Sequence, residues 1–317
     1  MNRLPLHDLH RAAGATFGEF AGFEMPLYYS KPLEEHHTVR RQVGVFDISH
    51  MGQFLLSGER AGEMLGYALP GDVAGMADGD ALYAPLCKED GGVLDDLIVY
   101  RYGPQRYRII VNGATHAKDY DWLLCIAEDY GCRLEDISAD WCLLAVQGAQ
   151  AFARLAPHVE RAPGSLRYYT FCETRAFGTP AFLARTGYTG EPGCEIALPR
   201  SAAAALWERL TGELSIVPVG LAARDTLRLE AAMPLYGHEL REEWHPLECG
   251  LGWALRLDGP AEFVGKKALL AIRGVGYPYR QVGLEVTGRG IPREGYRVLQ
   301  GPEEVGTVTS QGCELGG

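Results

Sequence analysis

The chain has 317 residues, 47% hydrophobic and 22% charged, with 30 basic against 41 acidic side chains and a formal net charge of −11. That length supports a large core and two or three domains, and the acidic balance argues against non-specific nucleic-acid binding while permitting a local basic pocket. No apolar run approaches the roughly 18 residues of a membrane span, and residues 1–7 carry neither a signal-peptide core nor a transit pattern, so the chain reads as cytoplasmic and bacterial.

In chain order, alternation predicts strands over 52–56, 81–86, 93–102, 106–111 and 143–146. Helices are expected over 149–155, over the Ala-rich 201–214 with Ser201 as N-cap, and over 222–233 before Pro234 and Gly237. After the Val275-Gly276-Tyr277-Pro278-Tyr279 stretch helical periodicity stops, and 281–286 and 296–299 read as β. The division is therefore an α+β body over 1–274 followed by a small β module from 275. The eight cysteines include no C-x-x-C pair and sit mostly in apolar stretches. They read as reduced core residues, and a structural zinc site is not expected.

The most informative segment is Gly91-Gly92-Val93-Leu94-Asp95-Asp96-Leu97-Ile98-Val99-Tyr100. Adjacent strand residues face opposite ways, so only one of the two acids can enter a given cavity. A loop of Gly103-Pro104-Gln105 would pair residues whose numbers sum to 208, and an Asp90-Gly91 turn would pair residues summing to 181. One face then carries Tyr83, Asp96, Ile98, Tyr100 and Asn112, a surface suited to a flat aromatic ligand with hydrogen-bonding edges. Asp95 points away, to solvent or a structural partner. A four-residue loop would flip Asn112 to the other face. The plainer alternative is a half-buried sheet with an acid capping a turn.

Three further motifs carry chemistry. The segment 185–195, Arg-Thr-Gly-Tyr-Thr-Gly-Glu-Pro-Gly-Cys-Glu, has glycine at every third position, and its Glu195 could accept paired hydrogen bonds from an amino-pyrimidine edge; an exposed acid on an irregular loop is the alternative. Arg224 and Arg228 stand one helical turn apart, either for a carboxylate ligand or for internal salt bridges. Asp47-Ile48-Ser49-His50 is not a triad, no G-x-S-x-G elbow exists, and His50 reads as a hydrogen-bonded structural histidine. His7, His10, His36 and His37 lack partners at metal spacing, so no metal is expected.

Taken together the chain resembles the aminomethyltransferase of the glycine cleavage system, the T-protein family. The resemblance runs through Phe20-Ala21-Gly22-Phe23-Glu24-Met25-Pro26-Leu27, Phe46-Asp47-Ile48-Ser49-His50-Met51-Gly52, the paired acids, and 185–195. It continues through the Arg-Leu-Glu and Pro-Leu-Tyr-Gly-His-Glu-Leu of 220–240, Gly250-Leu251-Gly252-Trp253, Phe263-Val264-Gly265-Lys266 and Gly306-Thr307-Val308-Thr309-Ser310. It implies a three-domain cloverleaf folate-binding fold with a C-terminal β-barrel-like domain. It also implies transfer of a one-carbon unit from the aminomethylated lipoyl arm of H-protein to tetrahydrofolate, releasing ammonia, with no metal. The family's key aspartate matches Asp96, its pterin-binding glutamate Glu195, and its Arg-Leu-Glu arginine Arg228. Tyr83, Tyr100, Asn112, Tyr188 and Trp253 match folate-site residues.

One departure stands out. After Thr309-Ser310 the family continues with a Ser-Pro-Thr-Leu-Gly-type segment, whereas this chain reads Gln311-Gly312-Cys313-Glu314-Leu315-Gly316-Gly317. An incomplete terminal barrel with unpaired edges is therefore expected. The alternatives are a folate-dependent demethylase of another N- or S-methyl donor, or an inactive folate-binding fragment. A folate-binding relative in iron–sulfur maturation is disfavoured, because 185–191 lacks that group's cysteine.

Overall fold

Strand Val93–Gly103 is apolar on both faces and must be covered twice. The computed structural model describes residues 1–312 and supplies both covers. Leu97 and Val99 pack against helices Ala61–Ala68 and His116–Asp129 in one core. Ile98 and Tyr100 pack against Phe46, Leu143 and Phe182 of a second sheet. A third core, including Leu144, Val146 and Ile196, meets Leu206 and Trp207 of helix Arg200–Glu208 on that sheet's far side. The fold is α+β, with two sheets face to face and helices outside them.

The first sheet is five-stranded and antiparallel, in the order Ala81–Cys87, Val93–Gly103, Arg106–Val111, Gly52–Ser57, Arg133–Asp136. The second runs Phe171–Ala176, Thr179–Ala184, Gly193–Pro199, Trp141–Gln147, Gly44–Asp47, Val217–Pro218. A three-stranded sheet lies near the N-terminus, and Arg297–Gln300 pairs with Glu303–Thr307. None of these sheets closes into a barrel.

Several expectations change. Helix Arg200–Glu208 starts one residue before Ser201, which therefore does not cap it, and continues as a π turn over Arg209–Glu213. The expected strand over 281–286 forms no ladder: Gln281 N–H donates to Glu248 O at 2.9 Å, outside any strand, and Val282 and Leu284 are exposed. Cys125 is exposed rather than core, Cys132 and Cys172 are half-buried, and Cys313 lies outside the described residues. The last described helix is Lys266–Val275.

Candidate active site

Both hairpins reach the expected register, by turns that differ from those expected. Ile98 pairs with Ile110 and Tyr100 with Arg108, while Tyr83 pairs with Ile98 and Pro85 with Asp96. At the far end the loop is one residue shorter, with Gly103 opposite Arg106 and a bulge at Tyr102 restoring the count. At the near end Lys88 N–H donates to Gly92 O across a loop one residue longer, closed by Gly91 at φ 88°, and a bulge beside Val93 compensates. Each extra or missing residue is absorbed where the ladder is already interrupted, so the facing of Asp96 is preserved.

The inter-sheet face opens on a cavity of about 2570 Å³ bounded by Tyr83, Asp96, Asn112, Tyr188, Glu195 and Arg224. Trp253, 69% exposed, stacks on Tyr83 at 5.8 Å between ring centroids, with the planes 19° apart. Asn112 Nδ2 donates to Asp96 Oδ1 at 2.8 Å. Burial, then the neighbouring Asp95 charge, push Asp96 up to about 7, opposed by the nearby Tyr83 hydroxyl and the Asn112 amide. Burial and the Asp96 charge raise the Tyr83 phenol well above its ordinary value, so it stays protonated beside that carboxyl.

Asp95, on the helix side of the strand, is fully buried and meets a structural partner rather than solvent. It accepts from Asn112 N–H at 3.2 Å, Asn112 Nδ2 at 2.9 Å and Thr115 Oγ1 at 2.8 Å. One amide therefore bridges the two acids of the pair.

The glycine-rich segment is shaped by Gln147. Its Nε2 donates to Thr186 O at 3.2 Å and Cys194 O at 3.4 Å, and its Oε1 accepts from Thr189 Oγ1 at 3.0 Å. A Cβ on Gly187 or Gly193 would stand 2.1 or 2.6 Å from the Gln147 side chain, so both glycines are needed for it to enter. The wrapped segment presents Tyr188 and Glu195 to the cavity. Gln147→Leu, near-isosteric but without polar atoms, is expected to cost about 1–3 kcal/mol by orphaning buried groups. A urea midpoint matching the parent's would contradict this.

Glu195 accepts from Thr186 Oγ1 at 2.6 Å and, more weakly, from Tyr100 OH at 3.5 Å. Burial raises its acid; Thr186, Arg224 and Tyr100 oppose that. Tyr100 is thus a fully buried residue behind Glu195, not a cavity wall as expected, because its ring is enclosed by Phe171 and Phe182.

Arg228 is likewise displaced from its expected role. It is 1% exposed and spent internally on Asp225, Glu239 and Ser310 at 2.8, 2.7 and 2.7 Å. Arg224, one turn earlier, borders the cavity with its guanidinium over the Tyr188 ring at 4.6 Å. The i, i+4 spacing had marked both arginines, but only helix orientation separates them. His50 also reaches the cavity wall, with a buried Nδ1 that has no hydrogen-bond partner among the described residues. Burial first, then Arg224, hold it down at about 3, so it is neutral. It is not the hydrogen-bonded residue expected.

The family model for the GCVT N-terminal domain matches residues 6–259. An aminomethyltransferase of Synechococcus elongatus is 47% identical over 96% of this chain and 83% of its own length. One of Desulfitobacterium hafniense is 42% identical over 98% and 86%. The crystal structure of glycine cleavage system aminomethyltransferase T from Bartonella henselae superposes with a TM-score of 0.90 at 38% identity, covering 98% of this chain and 85% of that one. With its site facing the cavity between two sheets, the chain belongs to the T-protein family of aminomethyltransferases.

Proposed function

We propose that the chain transfers the one-carbon unit from the aminomethylated lipoyl arm of H-protein to tetrahydrofolate, in the cytoplasm. The observation that carries this reading is the placing of two carboxylates, Asp96 and Glu195, on one aromatic-walled cavity in a chain of this family. Tetrahydrofolate supplies the two nitrogens that take over the carbon, while ammonia and the reduced lipoyl thiol leave.

Each carboxylate has a distinct task. Glu195, steadied by Thr186, accepts the paired N–H groups of an amino-pyrimidine edge, with Arg224 and Tyr188 beside it. Tyr83 and Trp253 offer ring faces for a flat ligand. Asp96, oriented by Asn112, accepts a hydrogen bond from an N–H of the attacking nitrogen and stabilises the positive charge that grows as ammonia departs. Residues 1–274 form the folate-binding body and the residues from 275 a C-terminal β module.

The acting form of Asp96 is the carboxylate. A group held near 7 is mostly protonated below that pH, so kcat/KM is expected to fall about tenfold per pH unit on the acid side. A flat profile from about pH 5 to 8 would contradict the assignment. The reaction itself is checked by ammonia release from aminomethylated H-protein, which should require tetrahydrofolate. Release from methylated amines but not from H-protein would favour a demethylase.

A further inference from the structure

Behind the site lies a second acid that the reaction scheme does not use. Asp119, in the first turn of helix His116–Asp129, is fully buried against the Asp95 side of the strand. Both its oxygens are buried without a hydrogen-bond partner among the described residues, and its carboxyl lies against that of Asp95, near the Thr115 hydroxyl that donates to Asp95 at 2.8 Å.

No cation is hydrogen-bonded to the pair among the described residues. Lys118, the next residue on the same helix, gives its ammonium to Tyr236 Oη and Glu242, each at 2.8 Å. His116 pairs with Asp136 at 3.0 Å on the far side. Asp96, across the strand, adds only negative charge. Two carboxyls in contact in such a place cannot both ionise; one proton must sit between them. Asp95 already accepts three hydrogen bonds, from Asn112 N–H, Asn112 Nδ2 and Thr115 Oγ1. It is therefore the ionised member, and the proton belongs to Asp119. Burial and the Asp95 charge agree, holding Asp119 up at about 10.

We propose that Asp119 is a positioning residue, a carboxylic acid in the working protein that donates its proton to Asp95, so that Asp95 keeps one negative charge and anchors the Asn112 amide onto Asp96. The donor chain runs from Asp119 to Asp95, which Asn112 Nδ2 joins at 2.9 Å while also reaching Asp96 Oδ1 at 2.8 Å. Asp119 touches no substrate; it acts through Asp95 and Asn112. In Asp119→Asn an amide N–H replaces the acid as donor. In Asp119→Val the donor is gone, and Asp95 holds the Asn112 amide without it.

The consequence for turnover rests on the folate reading, whereas the proton on Asp119 does not, and two measurements separate them. Infrared spectra of the full chain at about pH 8, above the ordinary carboxyl range, should contain the carbonyl band of an undissociated carboxylic acid that Asp119→Asn removes. Absence of that band from the parent, or its persistence in Asp119→Asn, would overturn the proposal. In the H-protein assay kcat should fall several-fold in Asp119→Val with KM little changed, and stay near the parent's value in Asp119→Asn, which keeps a donor. An unchanged kcat in a folded Asp119→Val protein, or an equal loss in both variants, would overturn the positioning role. Absence of turnover in the parent, with the infrared band present, would count against the folate reading alone.

Discussion

Asp96→Asn is expected to lower kcat about 10²–10⁴-fold, the range for removing a positioned acid–base group, with tetrahydrofolate affinity changed far less. The substitution keeps volume and the contact with Asn112 but removes the charge that balances the developing cation. Binding survives because Glu195, Arg224 and the aromatic walls are untouched. Asp95→Asn separates site from scaffold. Asp95 faces the helix side and accepts three hydrogen bonds, so its loss should appear chiefly as instability of about 1–3 kcal/mol. Side-by-side turnover and denaturation of the two variants checks this. Equal losses of kcat in both would remove the distinction between the acids.

Glu195→Gln should weaken tetrahydrofolate binding about 10–100-fold, as expected when hydrogen bonds to a buried charge are lost at roughly 1.5–3 kcal/mol. The amide keeps one acceptor for Thr186 but cannot accept two N–H groups from one edge. Calorimetric titration measures the change, and an affinity equal to the parent's would remove Glu195 from the ligand site. Glu195 is 8% exposed and lies deep against Thr186 and Tyr100, so its effect should fall on binding before chemistry.

The sequence was most legible where side-chain parity decides position. Strand alternation put Asp96 with Tyr83 and Asn112 and set Asp95 apart, and it survived two unforeseen bulges because bulges restore parity along the rest of the ladder. Helical spacing was less informative. Arg224 and Arg228 share a face by spacing, yet the packing of Glu239 and Ser310 on Arg228 decides which one is free to border the cavity. Tyr100 had the right parity, but ligand contact also depends on what the facing sheet brings, and Phe171 and Phe182 enclose it. The Gln147 template left a trace in the periodic glycines of 185–195, although nothing local tells which side chain will fill the space they leave. Asp119 left no trace beyond an acid in the first helical turn, because its contact with Asp95 is tertiary.

The central claim is that the Asp96 and Glu195 carboxylates serve one folate ring. A crystal structure of the chain with tetrahydrofolate tests it most directly. The expected result is an amino-pyrimidine edge hydrogen-bonded to Glu195, the ring against Tyr83 and Trp253, and a ring nitrogen within hydrogen-bond reach of Asp96. A folate seated elsewhere, leaving both carboxylates without contact to it, would contradict the account.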